Sequence, residues 1–385
     1  MQFADLWSEL VKGLANFTAG NAVMIAAGAV LILLAIVKEY EPVLLLPIGF
    51  GCILANIPLS GMAVNVVAEP LAKMGVFDVL YRAGISTELF PLLIFVGVGA
   101  MIDFSPLLAQ PRMVLLGAAG QFGIFGTLIL ATLLGFPLNQ AASIGVIGAI
   151  DGPTAIFVTS KLAPELLAPI AVAAYSYMSL IPIIQVPIMK LLTTREERLI
   201  RMEYAPKPVS RRALIIFPIA ITLVAGLLVP DATPLIAMLM LGNLLRESGV
   251  VDRLRKAAEN EIINIATLFL GLTVGATMSA QSFLNWQTLG ILALGFVAFV
   301  LDTVMGLLFG KLMSVLSGRT INPLIGAAGI SAFPMAGRLA AQVAQEEDFE
   351  NFILMHAMGA NTAGQLGSVM AGGVLLALVT GILGV

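Results

Sequence analysis

Continuous apolar runs, separated by Gly, Pro or charged residues, dominate the hydrophobic pattern of this chain. A helix that spans a membrane needs about 20 consecutive apolar residues. The pattern predicts membrane segments at 22–37, 42–59, 89–105, 113–135, 141–162, 166–189, 213–229, 233–245, 262–280, 288–313, 321–341 and 352–384. Because these runs do not alternate with polar positions, they favour helices over transmembrane β-strands. Internal Gly and Pro in several runs predict broken or re-entrant helices.

The composition supports this fold class. Of the 385 residues, 59% are hydrophobic and 11% are charged, whereas a soluble domain carries about 25% charged residues. The sequence therefore predicts an all-α polytopic membrane protein with a transporter-like architecture. A net charge of −3 without a sizeable basic patch argues against nucleic-acid binding. A single cysteine, Cys52, and a single histidine, His356, exclude an intrachain disulfide and a Cys/His zinc cluster.

Two basic stretches, 190–212 and 246–256, predict the orientation of the chain in the membrane. Two apolar segments separate them, so both stretches fall on one side, which the positive-inside rule assigns to the cytoplasm. Residues 191–212 are therefore expected to form a basic cytoplasmic linker. Two interpretations stay open for the basic loops: they determine topology alone, or they also dock a soluble partner.

The N-terminal 20 residues lack the pattern of a cleavable signal peptide. Residues 1–20 are predicted to form an amphipathic helix on the membrane surface, with its apolar face at Leu6, Trp7, Leu10, Leu14 and Phe17. Residues 21–41 follow as the first membrane helix.

The remainder of the chain divides into two similar halves, 42–190 and 213–385. GVIGAIDGPTAIFVTSKLA at 145–163 resembles GAAGISAFPMAGRLAAQVA at 326–344, and a fixed offset of 180 places Asp151 over Ser331. Chance similarity between apolar segments is the alternative. If the halves are inverted repeats, segment 141–162 leaves and returns on one face, with Asp151-Gly152-Pro153 at its turn. Broken helices that meet near the midplane are typical of transporters.

Asp151 is the strongest candidate for chemistry. It is the only charged residue between Arg112 and Lys161, and a charge at the bilayer centre costs about 3 kcal/mol on insertion scales. Carbonyl groups exposed at a broken helix, together with a carboxylate, suit a hard cation such as Na⁺. The alternatives are a proton site and a carboxylate satisfied by nearby backbone donors.

Five further side chains stand out in apolar surroundings. Asp302 is either an ion ligand or a packed structural carboxylate. Arg338 either holds an anionic partner, which suits its planar fork, or extends to the membrane interface. Tyr175 and Tyr177 point about 200° apart on a helix, so at most one faces a central site. His356 is expected to be structural.

The sequence contains no Walker motif, dinucleotide fingerprint or Ser/His/Asp triad. The protein is therefore expected to take its energy from an ion gradient or from a reactive group on a partner. A stand-alone Na⁺/H⁺ exchanger or Na⁺/carboxylate symporter is the main alternative to the function described next, and a noncatalytic membrane scaffold is the third.

Four stretches carry a resemblance to a known family: GAIDGPTAIFVTSKLAP (148–164), AYSYMSLIPIIQVPIMK (174–190), NPLIGAAGISAFPMAGR (322–338) and NFILMHAMGANTAGQLGSVMAGG (351–373). From about residue 20 onward the chain resembles the β subunit of the sodium-pumping biotin-dependent decarboxylases, which act on oxaloacetate, methylmalonyl-CoA, glutaconyl-CoA or malonate. The combination of the DGPT and SAFPM…R motifs is the specific part of this resemblance.

The resemblance implies a function within a larger complex. In the family, a carboxyltransferase α subunit moves CO₂ from the acid to biotin on a carrier protein. The β subunit decarboxylates carboxybiotin, exports Na⁺ and consumes a proton. As partners, the resemblance implies a biotin carrier protein, a small membrane subunit of the γ or δ type, and further copies of this chain in a homo-oligomer. The location is the bacterial or archaeal cytoplasmic membrane, and the acid is selected by the carboxyltransferase.

The resemblance also assigns site residues, and each family residue type is present at the matching position: Asp151, Tyr177, Asn322, Gly326, Ser331 and Arg338. Asp151 and Ser331 are expected to form one Na⁺ site, to which Asn322 adds a carbonyl oxygen. Arg338, with Asn322 and Gly326, is expected to hold carboxybiotin. Tyr177 or Ser331 would deliver the proton by general acid catalysis, and Asp302 is a further candidate Na⁺ ligand.

Overall fold

The computed structural model describes residues 11–39, 41–64, 74–203 and 209–384, and the regular structure within these residues is helical throughout. The helices of the first half are α1 (Lys12–Ala15), α2 (Ala19–Val37), α3 (Pro42–Ala55), α4 (Val76–Leu80), α5 (Leu89–Met101), α6 (Ser105–Ala109), α7 (Met113–Ala119), α8 (Phe122–Leu133), α9 (Leu138–Gly145), α10 (Gly152–Leu162), α11 (Leu167–Ser179), α12 (Ile181–Leu192) and α13 (Arg195–Arg198). Those of the second half are α14 (Arg211–Leu228), α15 (Thr233–Ser248), α16 (Asp252–Ala257), α17 (Ile263–Ala276), α18 (Ala280–Phe283), α19 (Trp286–Leu316), α20 (Met335–Glu347) and α21 (Leu354–Leu383). Short 3₁₀- or π-helical stretches extend or join them at Tyr81–Ser86, Val146–Ala149, Pro164–Leu166, Pro230–Ala232, Ala258–Ile262 and Pro323–Gly329.

Length and composition identify the helices that cross the membrane. Among the described residues, α2, the run Met113–Leu133 that contains α7 and α8, α14, α19 and α21 are each long and apolar enough. Two bent pairs bring the number to as many as seven: α4 with α5, bent by 57°, and α11 with α12, bent by 60°. The prediction of an all-α polytopic membrane protein with broken helices is confirmed.

The segment predicted at 141–162 is a hairpin. It consists of α9, the 3₁₀ turn Val146–Ala149 and α10, and Asp151 lies at the break as the residue before α10. The side-chain amide of Asn139 donates a hydrogen bond of 2.9 Å to the carbonyl oxygen of Leu162, so the two ends of the segment lie side by side. The first hairpin, residues 138–162, therefore turns back on itself as predicted.

The segment predicted at 321–341 is broken in the same way. The 3₁₀ stretch Pro323–Gly329 is followed by a turn that contains Ser331, and then by α20. Arg198 joins both ends: its carbonyl accepts a hydrogen bond of 3.0 Å from Asn322, and its guanidinium lies 2.6 Å from Glu347. The second hairpin, residues 322–347, thus also returns to its starting point.

The two hairpins enter the molecule from opposite ends of α19. Gln140, at the base of the first hairpin, accepts a 2.9 Å hydrogen bond from Gln287 at the start of α19. Near the other end of α19, Lys311 pairs at 3.1 Å with Glu197, beside the base of the second hairpin. This helix of 31 residues is about 46 Å long at about 1.5 Å per residue. Entry from opposite ends agrees with an inverted repeat, whose two-fold relation and domain boundaries stay predictions.

The helices pack as two bundles. In the first bundle, α3 packs against α2 and α17, and α5 packs against α15 and α17. In the second bundle, α19 packs against α8, α11, α12 and the stretch Pro323–Gly329, while α21 packs against α7 and α20. Both hairpins belong to the second bundle, and their turns lie next to a cavity between the bundles.

The N-terminal segment is described only in part, since Leu6, Trp7 and Leu10 lie outside the described residues. Helix α1 is a short helix, and Leu14 within it is 84% exposed. The first membrane helix, predicted at 21–41, begins at Ala19 and ends at Val37. Thr18 caps it by accepting a 3.2 Å hydrogen bond from the backbone of Asn21.

The basic linker folds against the acidic end of the second hairpin. Its cations and the preceding Lys190 pair with carboxylates of residues 346–350: Lys190 with Glu346 at 2.7 Å, Arg195 and Arg198 with Glu347 at 3.3 and 2.6 Å, and Arg201 with Asp348 and Glu350 at 2.7 and 3.1 Å. Much of the positive charge that was expected to determine topology or to dock a partner therefore forms ion pairs with carboxylates of the same chain. Lys207 lies outside the described residues.

Candidate functional site

A cavity of about 340 Å³ lies between the two bundles, and both hairpin turns contribute to its wall. The second bundle supplies Asp151, Tyr175, Ser331 and Gln365. The first bundle and its neighbouring turns supply apolar residues together with polar ones: Glu41, Glu259, Asn264 and Thr267. We call this the central cavity.

Asp151 is held at the break of the first hairpin by three donors. Its side chain is 6% exposed. The Oδ2 atom accepts hydrogen bonds from Thr154 at 2.6 Å, Ser368 at 3.0 Å and Gln365 at 3.1 Å. These donors orient a carboxylate next to the first turn of α10, where backbone N–H groups favour negative charge.

Ser331 meets Asp151 at the same cavity from the second hairpin. Its side chain is 3% exposed, and its hydroxyl donates a 3.1 Å hydrogen bond to the carbonyl oxygen of Gly364. The hydroxyl oxygen keeps lone pairs that can bind a cation. The structure therefore brings together the two residues that the repeat aligned, although they are far apart in the chain.

Helix α21 contributes partners that the sequence reasoning missed. Gln365 and Ser368 donate to Asp151, and Asn361, one turn earlier, donates to the carbonyl of Ile330 at 2.7 Å. These three polar residues recur at helical spacing in an otherwise apolar run. From that spacing, the sequence could have predicted a polar helix face, which the structure directs at the hairpin turns.

The two tyrosines of α11 point in different directions, as predicted. Tyr175 lines the central cavity, and its ring lies so close to Gly152 that a Cβ atom there would overlap it. Tyr177 instead donates to the carbonyl oxygen of Leu292 on α19 and packs against Phe296, with ring centroids 6.2 Å apart. The tyrosine at the cavity is thus Tyr175, and Tyr177 is not among the described residues that line it.

Asn322 directly precedes the 3₁₀ stretch of the second hairpin and Gly326 lies within it, and neither lines the central cavity. Asn322 donates to the carbonyls of Arg198 and Ile200 at 3.0 and 2.9 Å and accepts from the backbone of Leu324 at 3.1 Å. A Cβ on Gly326 would overlap the carbonyl oxygen of Gly306 on α19. In this conformation both residues shape the second hairpin, and the Asn322 oxygen caps its first turn.

Arg338 is exposed on the first turn of α20. Its guanidinium makes no ion pair or hydrogen bond with the residues that the structure describes. The exposure agrees better with the interface alternative than with a buried guanidinium. It also leaves the planar fork open to an anion brought by another molecule.

Asp302 is fully buried in α19 and is not among the residues that line the central cavity. One carboxylate oxygen accepts from the backbone N–H of Gly123 at the start of α8, and the other has no hydrogen-bond partner among the described residues. Gly123 also contacts Gly148 in the turn that precedes Asp151. This position fits the packed structural carboxylate better than a ligand in the central cavity.

The donor set around Asp151 is that of a site with one carboxylate. Among the described residues, no three or more His, Cys, Asp or Glu side chains gather as a metal cluster would require. The partners of the Asp151 carboxylate are neutral: the hydroxyl groups of Thr154 and Ser368 and the amide group of Gln365. Such neutral oxygens with a single negative charge match a monovalent hard cation better than a divalent one.

Comparison with known proteins gives a consistent result. The family described as "Na⁺-transporting oxaloacetate decarboxylase beta subunit" matches residues 20–379. The chain is 52% identical to the methylmalonyl-CoA decarboxylase subunit beta of Veillonella parvula, over 96% of each chain. It is 53% identical to the glutaconyl-CoA decarboxylase subunit beta of Acidaminococcus fermentans, again over 96% of each. It is 48% identical to the oxaloacetate decarboxylase beta chain of Klebsiella pneumoniae, over 95% of this chain and 97% of that one.

These matches span nearly the whole chain, including both hairpins and the central cavity. They agree with the resemblance carried by the motifs around Asp151 and Ser331. The chain belongs to the family of β subunits of Na⁺-transporting decarboxylases, the membrane subunits of these sodium pumps.

Proposed function

We propose that this chain decarboxylates carboxybiotin and couples that reaction to the export of Na⁺ across the cytoplasmic membrane of a bacterium or archaeon, with consumption of a proton. The observation that carries the proposal is the meeting of Asp151 and Ser331 in the central cavity, between two helix bundles. A single buried carboxylate with neutral oxygens around it suits Na⁺ as cargo.

The cation site centres on Asp151. Its carboxylate supplies the negative charge, and the Ser331 hydroxyl supplies an oxygen from the other hairpin. Gln365 and Ser368 hold the carboxylate in place through α21. Because both hairpin turns face one cavity, a relative movement of the bundles would open the same site toward either side, as in transporters built from inverted repeats.

The proton enters the reaction after CO₂ leaves. When the N–C bond of carboxybiotin breaks, its electron pair stays on the ureido nitrogen, which then takes a proton. Tyr175 and Ser331 carry the hydroxyl groups that the second bundle, on the side of Asp151, brings to the central cavity in this conformation, so they are the general acids that the geometry supports best. The resemblance assigns this role to Tyr177, which reaches the cavity only if its bond to Leu292 opens.

Na⁺ and the proton are coupled through Asp151. A proton on its carboxylate removes the negative charge that binds the cation, so the two compete for the same oxygens. Occupation by Na⁺ on one side and by a proton on the other then links transport to decarboxylation.

Arg338 is proposed to bind the carboxylate of carboxybiotin. Its guanidinium is exposed and unpaired within the described residues, and a planar fork matches a carboxylate with two parallel hydrogen bonds. An exposed position suits a substrate that arrives on another protein. Asn322 and Gly326 contribute by shaping the second hairpin, which carries Arg338.

The partners we propose are a biotin carrier protein, a carboxyltransferase α subunit, a small membrane subunit of the γ or δ type, and further copies of this chain. The relatives act on methylmalonyl-CoA, glutaconyl-CoA or oxaloacetate by name, at 48 to 53% identity to this chain. That spread agrees with an acid that is selected by a different subunit.

The direct test is to purify the complex through a tag on this chain and to assay it with an avidin blot and for Na⁺-dependent decarboxylation. We expect a biotinylated protein in stoichiometric amount and CO₂ release that requires Na⁺. Na⁺ transport by this chain alone, with no biotinylated partner, would instead establish the stand-alone exchanger or symporter.

A further inference from the structure

A second cavity, of about 360 Å³, lies apart from the central cavity at the end of the molecule that carries the basic linker. Three arginines, Arg112, Arg201 and Arg319, line it together with His356 and Glu203. We call it the arginine cavity. None of its described lining residues contributes to the central cavity.

The arginine cavity is formed where three membrane helices end. Arg112 directly precedes α7, and Arg319 follows the last turn of α19. His356 lies in the first turn of α21 and is 2% exposed, so it forms the floor. By the positive-inside rule this end faces the cytoplasm, so the cavity lies at the level of the lipid headgroups.

The lining carries an excess of positive charge. The guanidinium of Arg201 is matched by Asp348 at 2.7 Å and Glu350 at 3.1 Å. Glu203 adds one negative charge to the wall. Arg112 and Arg319 are both exposed, and neither forms an ion pair with a described residue. Two guanidinium groups in one cavity, without partners in the described chain, call for an anion.

Phosphate is the anion that this arrangement fits best. Each guanidinium can donate two parallel hydrogen bonds to phosphate oxygens. The volume falls in the range of sites that take a small molecule or headgroup. Basic pockets between membrane helices on the cytoplasmic side are a recurring form of anionic lipid site.

We propose that the arginine cavity binds the phosphate headgroup of an anionic phospholipid, with Arg112 and Arg319 as its ligands. The bound lipid would tie together the ends of α7, α19 and α21, which carry or adjoin both hairpins. This inference does not depend on the decarboxylase reaction. A free phosphate group is the other source of the same chemistry.

The test is native mass spectrometry of the purified full-length chain in detergent, titrated with phosphatidylglycerol or with phosphatidylcholine. The double variant Arg112→Gln/Arg319→Gln removes the proposed ligands. Arg212→Gln/Arg253→Gln is the matched control, because both of those arginines are exposed and unpaired within the described residues but lie outside the cavity. Arg112→Lys/Arg319→Lys keeps the charge and loses the planar fork.

We expect wild type and the control to prefer phosphatidylglycerol over phosphatidylcholine, and the double Gln variant to bind phosphatidylglycerol about 30-fold more weakly. The Lys variant should lie between them. Equal affinity in the wild type, the control and the Gln variant would overturn the proposal, as would a wild type without preference for the anionic lipid. Displacement of bound phosphatidylglycerol by excess inorganic phosphate from the wild type would support recognition through the phosphate group. Binding of inorganic phosphate to the wild type, but not to the Gln variant, without any preference for phosphatidylglycerol would overturn the lipid assignment in favour of a soluble anion.

Discussion

Asp151 and Ser331, which stand 180 positions apart in the sequence, lie at the turns of two hairpins and line one cavity. The hairpins enter from opposite ends of α19, so each half of the chain delivers one oxygen-bearing side chain to the same place. A cation in this cavity would therefore contact both halves. Movement of one bundle relative to the other would then change access to the ion.

Substitutions of Asp302 give a first prediction, because they distinguish a structural carboxylate from an ion ligand. Asp302→Asn keeps a carbonyl oxygen for the N–H of Gly123, so Na⁺ transport and decarboxylation should stay close to wild type. Asp302→Leu leaves that N–H buried without an acceptor, at a cost of about 1–3 kcal/mol, and should lower the melting temperature and the turnover. Loss of Na⁺ transport in the Asn variant with an unchanged melting temperature would make Asp302 an ion ligand.

The two tyrosines of α11 give a second prediction. Tyr175→Phe removes a hydroxyl group from the central cavity and should slow decarboxylation by about 100-fold if that group is the general acid, with little change in melting temperature. Tyr177→Phe removes the bond to Leu292 on α19 and should cost about 1 kcal/mol of stability. Steady-state turnover and thermal unfolding of both variants distinguish the roles. The opposite pattern, with turnover lost in Tyr177→Phe alone, would restore the assignment that the resemblance implies.

Gly326 allows a test of the packing beneath the second hairpin. A Cβ atom at this position would overlap the carbonyl oxygen of Gly306. Because that oxygen belongs to the backbone, it cannot move aside as a flexible side chain would. Gly326→Ala should therefore destabilise the protein by about 1–3 kcal/mol. Gly381→Ala, at an α21 position where a Cβ meets nothing within 4 Å, is the control and should not lower the melting temperature. An unchanged melting temperature in Gly326→Ala would show that the close contact with α19 is not required.

The linker contacts predict a dependence on pH. Hydrogen bonds from Arg198 and Arg201 hold the pKa values of Glu347 and Asp348 below their ordinary values of 4.5 and 3.8. A carboxylate whose pKa is lowered in the folded state contributes its full stabilisation above the ordinary value and loses it as the pH falls through the folded value. The linker should therefore stay docked at neutral pH and separate from residues 346–350 in acid, below about pH 4.

Spin labels on Glu196→Cys and Phe349→Cys, which are both exposed, allow that separation to be measured by pulsed electron paramagnetic resonance. The distance should be short and well defined at neutral pH and broaden in acid. Glu347→Gln in the same background should broaden it already at neutral pH. A distance distribution that is the same in all three conditions would contradict the account of the linker.

Much of the architecture follows from local signals in the sequence. Gly152 and Pro153 cannot continue a regular helix, so the break at Asp151 was predictable, and the return of the hairpin followed from topology. The isolation of Asp151 in an apolar run marked it as the candidate ion ligand. The two directions of Tyr175 and Tyr177 follow from helical geometry alone.

Features that depend on packing between distant segments were not predictable in the same way. Gln365 and Ser368 reach Asp151 only because α21 packs against the first hairpin, more than 200 positions earlier in the chain. The side-chain oxygen of Asn322 accepts a hydrogen bond from the backbone of its own hairpin, and its amide group donates to carbonyl oxygens of the linker. A pattern of apolar positions predicts which segments are helical, but not which faces of those helices meet.

The central claim is that Asp151 binds the Na⁺ that the decarboxylation drives across the membrane. The most direct measurement is ²²Na⁺ uptake by proteoliposomes that contain the purified complex with Asp151→Asn, recorded alongside CO₂ release and the retention of the biotinylated partner. We predict that the variant complex assembles but loses both Na⁺ uptake and Na⁺-dependent decarboxylation, while Asp302→Asn retains both. Na⁺ uptake coupled to decarboxylation at the wild-type rate in Asp151→Asn would contradict the account.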